Sequence, residues 1–272
     1  MPQQETAYSL DQIGYTLLRF NSTGIFETHK DHMVDPYAAT RMPKGPQVEG
    51  IQYAPQITGK ILPALVVLHD QWGLTSHIQD LAKGLACHGY IVLVPNLYGR
   101  MGGMVTANTE VAEALKERLN EEHALQDINA CFEYLNCNIA EDTLLERTVR
   151  NGHGAVGFGM GGTLAIKTAA HRRRLQAAVA IGGTLPAGPE TAQGLYCPLL
   201  MQQPGQSPQT SREELENFCQ TAKEAGKNVD LHTYPEASPE FWYPNSPNYR
   251  PTDMEDALQR SLDFMDNLIK KA

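Results

Sequence analysis

From about residue 48 onward the chain alternates short runs that are apolar at nearly every position with longer segments whose apolar residues recur every three or four places. The short runs are 63–69 (PALVVLH), 90–95 (YIVLVP), 155–158, 175–181 (LQAAVAI) and 198–202, and 229–234 reads as a further strand. A strand apolar throughout has to be covered on both faces, which is the situation of strands in a parallel sheet. The longer segments, 77–88, 108–119, 121–137, 161–171, 211–225 and 252–270, have the period of helices packed along one side. Gly89 stops the first of them, and Asp256, Arg260 and Phe264 carry the period through the last. Strand and helix in turn predict an α/β fold, one doubly wound domain over 47–272 with a mainly parallel sheet flanked by helices. Residues 1–46 read differently: polar, proline-bearing and without a sustained period. They predict an N-terminal arm that packs against the domain or awaits a protein partner.

Charge narrows the partners. Against 31 acidic residues stand 22 basic ones, a formal net charge of −9. Nucleic acid and anionic membrane surfaces repel such a chain, so neither is expected as a partner. The one dense basic run, His171–Arg174, follows a predicted helix and is expected to face water at its C-terminus, where the helix dipole favours cations. No apolar run approaches the ~20 residues of a membrane span, and residues 1–10 have neither the basic start nor the apolar core of a signal peptide. The five cysteines are scattered, with no Cys-x-x-Cys pair. Buried thiols in a cytoplasmic, reducing setting are expected, with no disulfide frame and no zinc site. His29, Asp31, His32 and Asp35 are possible metal ligands, but so short a cluster reads as a solvated stretch, and no metal or cofactor is expected.

Ligands in a doubly wound sheet sit outside the carboxyl ends of the strands. The sharpest feature there is Gly157-Phe158-Gly159-Met160-Gly161-Gly162, between a predicted strand and a predicted helix. This is the setting of a nucleophile elbow, G-x-Nuc-x-G, in which flanking glycines let strand and helix close tightly. The amide of Met160 would then serve as an oxyanion donor. The central residue is Gly159, with neither hydroxyl nor thiol. As a dinucleotide fingerprint the run lacks the third glycine at its usual offset, and the strand at 175–181 leads into Gly182-Gly183 and not into an acidic residue.

Residues 65–100, which contain VVLHDQWGLTSHIQDLAKGLACHGYIVLVPNLYGR, resemble the first strand–loop–helix–strand block of the dienelactone hydrolase family. The family pattern is VVxHExxGL, a helix, then GYxxxxPDLYxR. The likeness continues through the elbow at 157–162, the strand opening PxL at 198–200, the strand ending Tyr234-Pro235 and the closing segment 245–264. It implies an α/β-hydrolase fold and an ester or lactone hydrolase as the ancestral activity. It implies a cysteine nucleophile where Gly159 stands, a triad aspartate where Ser207 stands, and a triad histidine where YPEASP places Pro239. The family glutamate beside the resting thiol corresponds to Asp70. The arginine closing PDLYxR, implied to hold a substrate carboxylate, is retained as Arg100, and a second substrate-binding arginine corresponds to Tyr243.

The expected pocket is therefore Asp70, Gln71, Trp72, Arg100, Gly159, Met160 and Tyr243, without a catalytic triad. Removing a nucleophile or base from such a unit costs about 10⁶ in turnover. One reading is a catalytically degenerate homologue that binds a small carboxylate in this pocket or a protein through residues 1–46. The alternative is a working ester or lactone hydrolase with a rerouted mechanism, for which Asp70, as a base on water, and Ser238 are the candidates. His69 and Cys87 are expected to be packed core residues, and His153 to lie at the wrong end of the sheet for chemistry.

Overall fold

A computed structural model of the chain describes residues 6–22, 46–56, 60–137 and 148–271. Eight strands form one sheet: β1 (Ile13–Asn21), β2 (Gln47–Pro55), β3 (Leu62–Leu68), β4 (Ile91–Pro95), β5 (Thr148–Phe158), β6 (Ala177–Ile181), β7 (Leu199–Pro204) and β8 (Val229–Tyr234). Their spatial order is β1-β2-β4-β3-β5-β6-β7-β8. Pairing is parallel from β4 through β3 to β8, whereas β2 pairs antiparallel with both β4 and β1.

The all-apolar runs are explained by two separate cores. Ala64, Val66 and Leu68 of β3 face one core, which contains side chains of α3 (Glu121–Cys137), α4 (Met160–His171) and α6 (Arg212–Glu224). Leu65 and Val67 face the other, shared with α1 (Ser76–Cys87) and α7 (Pro251–Met265). Successive side chains of a strand point to opposite faces, so both parities must be apolar when both faces are covered. The remaining helices are α2 (Thr109–Arg118) and the short α5 (Glu190–Gly194). No helix among the described residues is long and apolar enough to cross a membrane.

Two expectations change and a third is not tested. Within the segment read as an irregular arm, Ile13–Asn21 is an edge strand, paired residue for residue with β2 from Ile13–Pro55 to Asn21–Gln47. The possible metal ligands at 29–35 lie outside the described residues. Arg172, expected in solvent, is buried: it bonds Asn129 and Glu133 at 2.6 and 2.7 Å and lies over the Phe132 ring. A guanidinium can turn inward there because a carboxylate and an aromatic face meet it together.

Candidate active site

The strand-to-helix turn has the backbone of an elbow. Gly159 sits at φ +52°, ψ −116°, between the end of β5 and the first residue of α4. A side chain is strained in that conformation. A Cβ on Gly157 would stand 2.0 Å from the Gly161 carbonyl oxygen, and one on Gly161 2.3 Å from that of Leu68. Strand and helix approach as closely as the flanking glycines allow. No side chain caps α4, so the Met160 amide is among the donors left open at a helix N-terminus.

A cavity of about 170 Å³ opens beside this turn. Its wall is drawn from the carboxyl ends of five strands: Asp70 and Gln71 after β3, Gly159 and Met160 after β5, and Gly183 and Thr184 after β6. Pro204 at the end of β7 with Ser207 beyond it, and Pro239, Glu240 and Trp242 after β8, complete that set. Glu113 and Lys116 of α2 reach it from the side. The three positions matched to the family triad, Gly159, Ser207 and Pro239, thus meet at one cavity, as do Asp70, Gln71 and Met160.

The place of the missing nucleophile is filled. A Cβ built on Gly159 would stand 2.9 Å from Cζ2 of Trp242, and one on Gly182 2.3 Å from Cζ3 of the same indole. Both glycines leave room for this ring, which would collide with any larger residue at either position. The indole Nε1 donates to Oδ2 of Asp70 at 3.2 Å, while the Trp72 amide donates to Oδ1 at 3.0 Å. Burial pushes the Asp70 carboxyl up to about 7, and the negative charge of Glu240 adds to the rise against these two donors. Glu240 itself stands at φ +67° and accepts from Gln71 Nε2 at 2.9 Å. Burial raises it too, against the pull of donors on Ser246, Trp72 and Gln71 and of the Lys116 charge.

Other predicted pocket residues lie elsewhere. Arg100 does not line the cavity: its Nη2 donates to Asp127 Oδ1 at 2.6 Å and to Ser22 Oγ at 3.1 Å, and its Nε to Asp127 Oδ2 at 3.0 Å. A guanidinium held bidentate by a buried carboxylate has little left for a ligand. Trp72 and Tyr243 are also absent from the wall. They stack on each other, with ring centres 5.5 Å apart and planes 15° apart. Ser238 points its hydroxyl at Gln206 Oε1, 3.4 Å away, and does not line the cavity. His69 is fully buried, and burial pushes it down to about 4, leaving the ring neutral. Its Nε2 accepts from the Leu97 amide at 3.0 Å, so it is a satisfied structural residue. His153 is buried inside β5, well before the elbow, and Cys87 is buried in the core.

Sequence reasoning missed Trp242, Glu240, Glu113 and Lys116. For Trp242 the available signal was a pair of glycines, 159 and 182, each directly following a buried strand. Nothing in the sequence says which aromatic fills the space they leave. Among the described residues no three His, Cys, Asp or Glu side chains converge as metal ligands.

Comparison with known proteins agrees with this architecture. A profile described as "Dienelactone hydrolase family" matches residues 48–269. Two bacterial proteins provisionally named carboxymethylenebutenolidase are similar in sequence. That of Yersinia pestis is 28% identical over 213 residues, 74% of this chain and 77% of that protein. That of Escherichia coli K12 is 27% identical over 252 residues, 88% of this chain and 89% of its own. Among solved structures, a provisional dienelactone hydrolase from Klebsiella pneumoniae superposes with a TM-score of 0.73 at 20% identity, over 93% of this chain and 98% of that one.

Proposed function

Because the chain belongs to the dienelactone hydrolase family over residues 48–269, we propose that it keeps that family's pocket as a binding site and has lost nucleophilic ester hydrolysis. The observation that carries this reading is Trp242. The nucleophile's side chain is absent, and an indole occupies the volume it would need, 2.9 Å from where a Cβ on Gly159 would stand. A covalent route requires a nucleophile, a base within hydrogen-bond reach and a group orienting the base. Gly159 and Pro239 supply neither of the first two, the Ser207 hydroxyl accepts from the Gln209 amide with no base bonded to it among the described residues, and the neutral His69 ring is engaged with Leu97. What remains is a small cavity with polar walls, below the roughly 300–1,000 Å³ of sites for drug-sized ligands. The described thiols, Cys87, Cys131, Cys197 and Cys219, are all unpaired and suit a reducing, cytoplasmic setting.

One observation favours the second reading, a hydrolase with a rerouted mechanism. Asp70 borders the cavity and titrates near 7, where a carboxylate can take a proton from water. An aryl-ester turnover assay separates the two. The binding reading expects no saturable turnover above background. Saturable turnover lost in Asp70→Asn, with the fold intact, would establish the rerouted hydrolase instead.

A further inference from the structure

The polarity of the cavity wall identifies the class of ligand, on the premise that the cavity is a binding site. Among the described residues its carboxyl groups belong to Asp70, Glu113 and Glu240, and its one cation is Lys116. Asp70 is only 2% exposed, borders the cavity, and has no cationic partner among the described residues; its donors there are the neutral Trp72 amide and Trp242 indole N–H. A carboxylate buried without a countercharge is costly unless it is neutralised or a cation reaches it. The negative charge of Glu240 adds to the rise that burial causes at Asp70, and burial raises Glu240 itself. Arg100, the residue that would have welcomed an anion, is held by Asp127 away from the wall. A ligand carboxylate entering here would meet three acidic side chains against the single Lys116 ammonium.

A metal ion is the poorer occupant, because the acidic groups do not converge as a ligand set. A cation that spreads several N–H donors fits carboxyls that stand apart. Met160, Pro204, Pro239 and Trp242 supply apolar wall for a short carbon chain. At about 170 Å³ the cavity is near the size that holds one benzene-sized molecule.

We infer that the cavity beside Gly159 binds a small organic cation, a primary alkylammonium, with Asp70 and Glu240 facing its charge and Trp242 its carbon chain. The test compares three probes of one length and different charge: pentylamine, pentanamide and pentanoate. Each is titrated at pH 8 into the full chain, with tryptophan fluorescence as the readout, since the chain has two tryptophans and one of them lines the cavity. Pentylammonium should saturate the signal and bind at least tenfold more tightly than pentanamide, with pentanoate weakest. Glu240→Gln should weaken pentylammonium about tenfold and leave pentanamide unchanged. Glu113→Gln, at an exposed helix position that threatens no fold, should weaken it by a smaller factor.

Equal affinity for amine and amide, tightest binding of pentanoate, or no saturation by pentylamine at millimolar concentration each overturns the inference. The first two would leave the binding-site reading standing. Saturable ester turnover dependent on Asp70 would remove that reading itself, whatever the charge preference.

Discussion

Two buried aspartates set the two sides of this molecule apart. Asp127, on α3, is 6% exposed and receives Arg100 through two short bonds, with Ser22 and Gln126 accepting from the same Nη2. Asp70, at the end of β3, is 2% exposed and receives only an amide and an indole N–H. Burial raises both carboxyls, but at Asp127 a cation opposes the rise, whereas at Asp70 the neighbouring charge is a second carboxylate. The first arrangement is a completed structural joint between α3 and the segment following β4. The second is a charge left without its complement, facing a cavity. Retention of an arginine from a family motif therefore says nothing by itself about ligand binding, and the difference in compensation does.

The largest effect should come from breaking the completed pair. Arg100→Met strands Asp127 as a buried unpaired charge and should cost about 3–5 kcal/mol, read as a fall in the denaturation midpoint with unchanged slope. A loss under 1 kcal/mol would mean that the pair is not a structural joint and would reopen a ligand role for Arg100.

Next comes the uncompensated group. Folded Asp70 titrates near 7 against an ordinary value of 3.8, so between those values the folded state binds the extra proton. Its stabilising contribution is complete below about pH 4 and is lost as pH rises through 7, by up to about 4 kcal/mol at 1.36 kcal/mol per unit. Asp70→Asn, which has no charge to bury, should gain on the parent over that window. His69 and His153, both pushed down to about 4 by burial, act with the opposite sign in both proteins, stabilising the fold as pH rises from 4 to 6.5. They cancel in the difference between parent and variant. A parent-minus-variant stability that does not change from pH 4 to pH 8 would show that Asp70 has a countercharge after all.

The smallest effect addresses the ring packed against Gly159. Gly159→Ala adds a methyl where φ is +52° and the Trp242 ring is 2.9 Å away, and should cost about 1–3 kcal/mol. Combining it with Trp242→Ala should cost less than the sum of the two single changes, because the collision is relieved. Strict additivity in that double-mutant cycle would mean that the indole does not press on Gly159.

Much of the fold was legible because its strands are apolar on both parities and its helices on one face. That is why β3 through β7 were found, with β8 also read at 229–234, and why the elbow at 157–162 was placed correctly between β5 and α4. β1 and β2 were missed because their exposure is mixed: Tyr15 and Leu17 of β1 are more than two-thirds exposed, so no clean alternation survives in the sequence. In the site, Gly159, Ser207, Pro239, Asp70, Gln71 and Met160 were placed together at one cavity from motif position alone. Arg100, Trp72 and Tyr243 were not, because their partners, Asp127 for the arginine and each other for the two rings, come from distant parts of the chain.

The order of residues was enough to determine the parallel strands, the helices that cover them and the absence of a side chain at the elbow, since backbone conformation and facial period are local properties. Only the folded chain decided that an indole fills the gap and that one aspartate is paired while another is not. Trp242 meets Asp70 across 172 positions of sequence. Space and charge are compensated through distance in three dimensions, and separation along the chain carries no record of it.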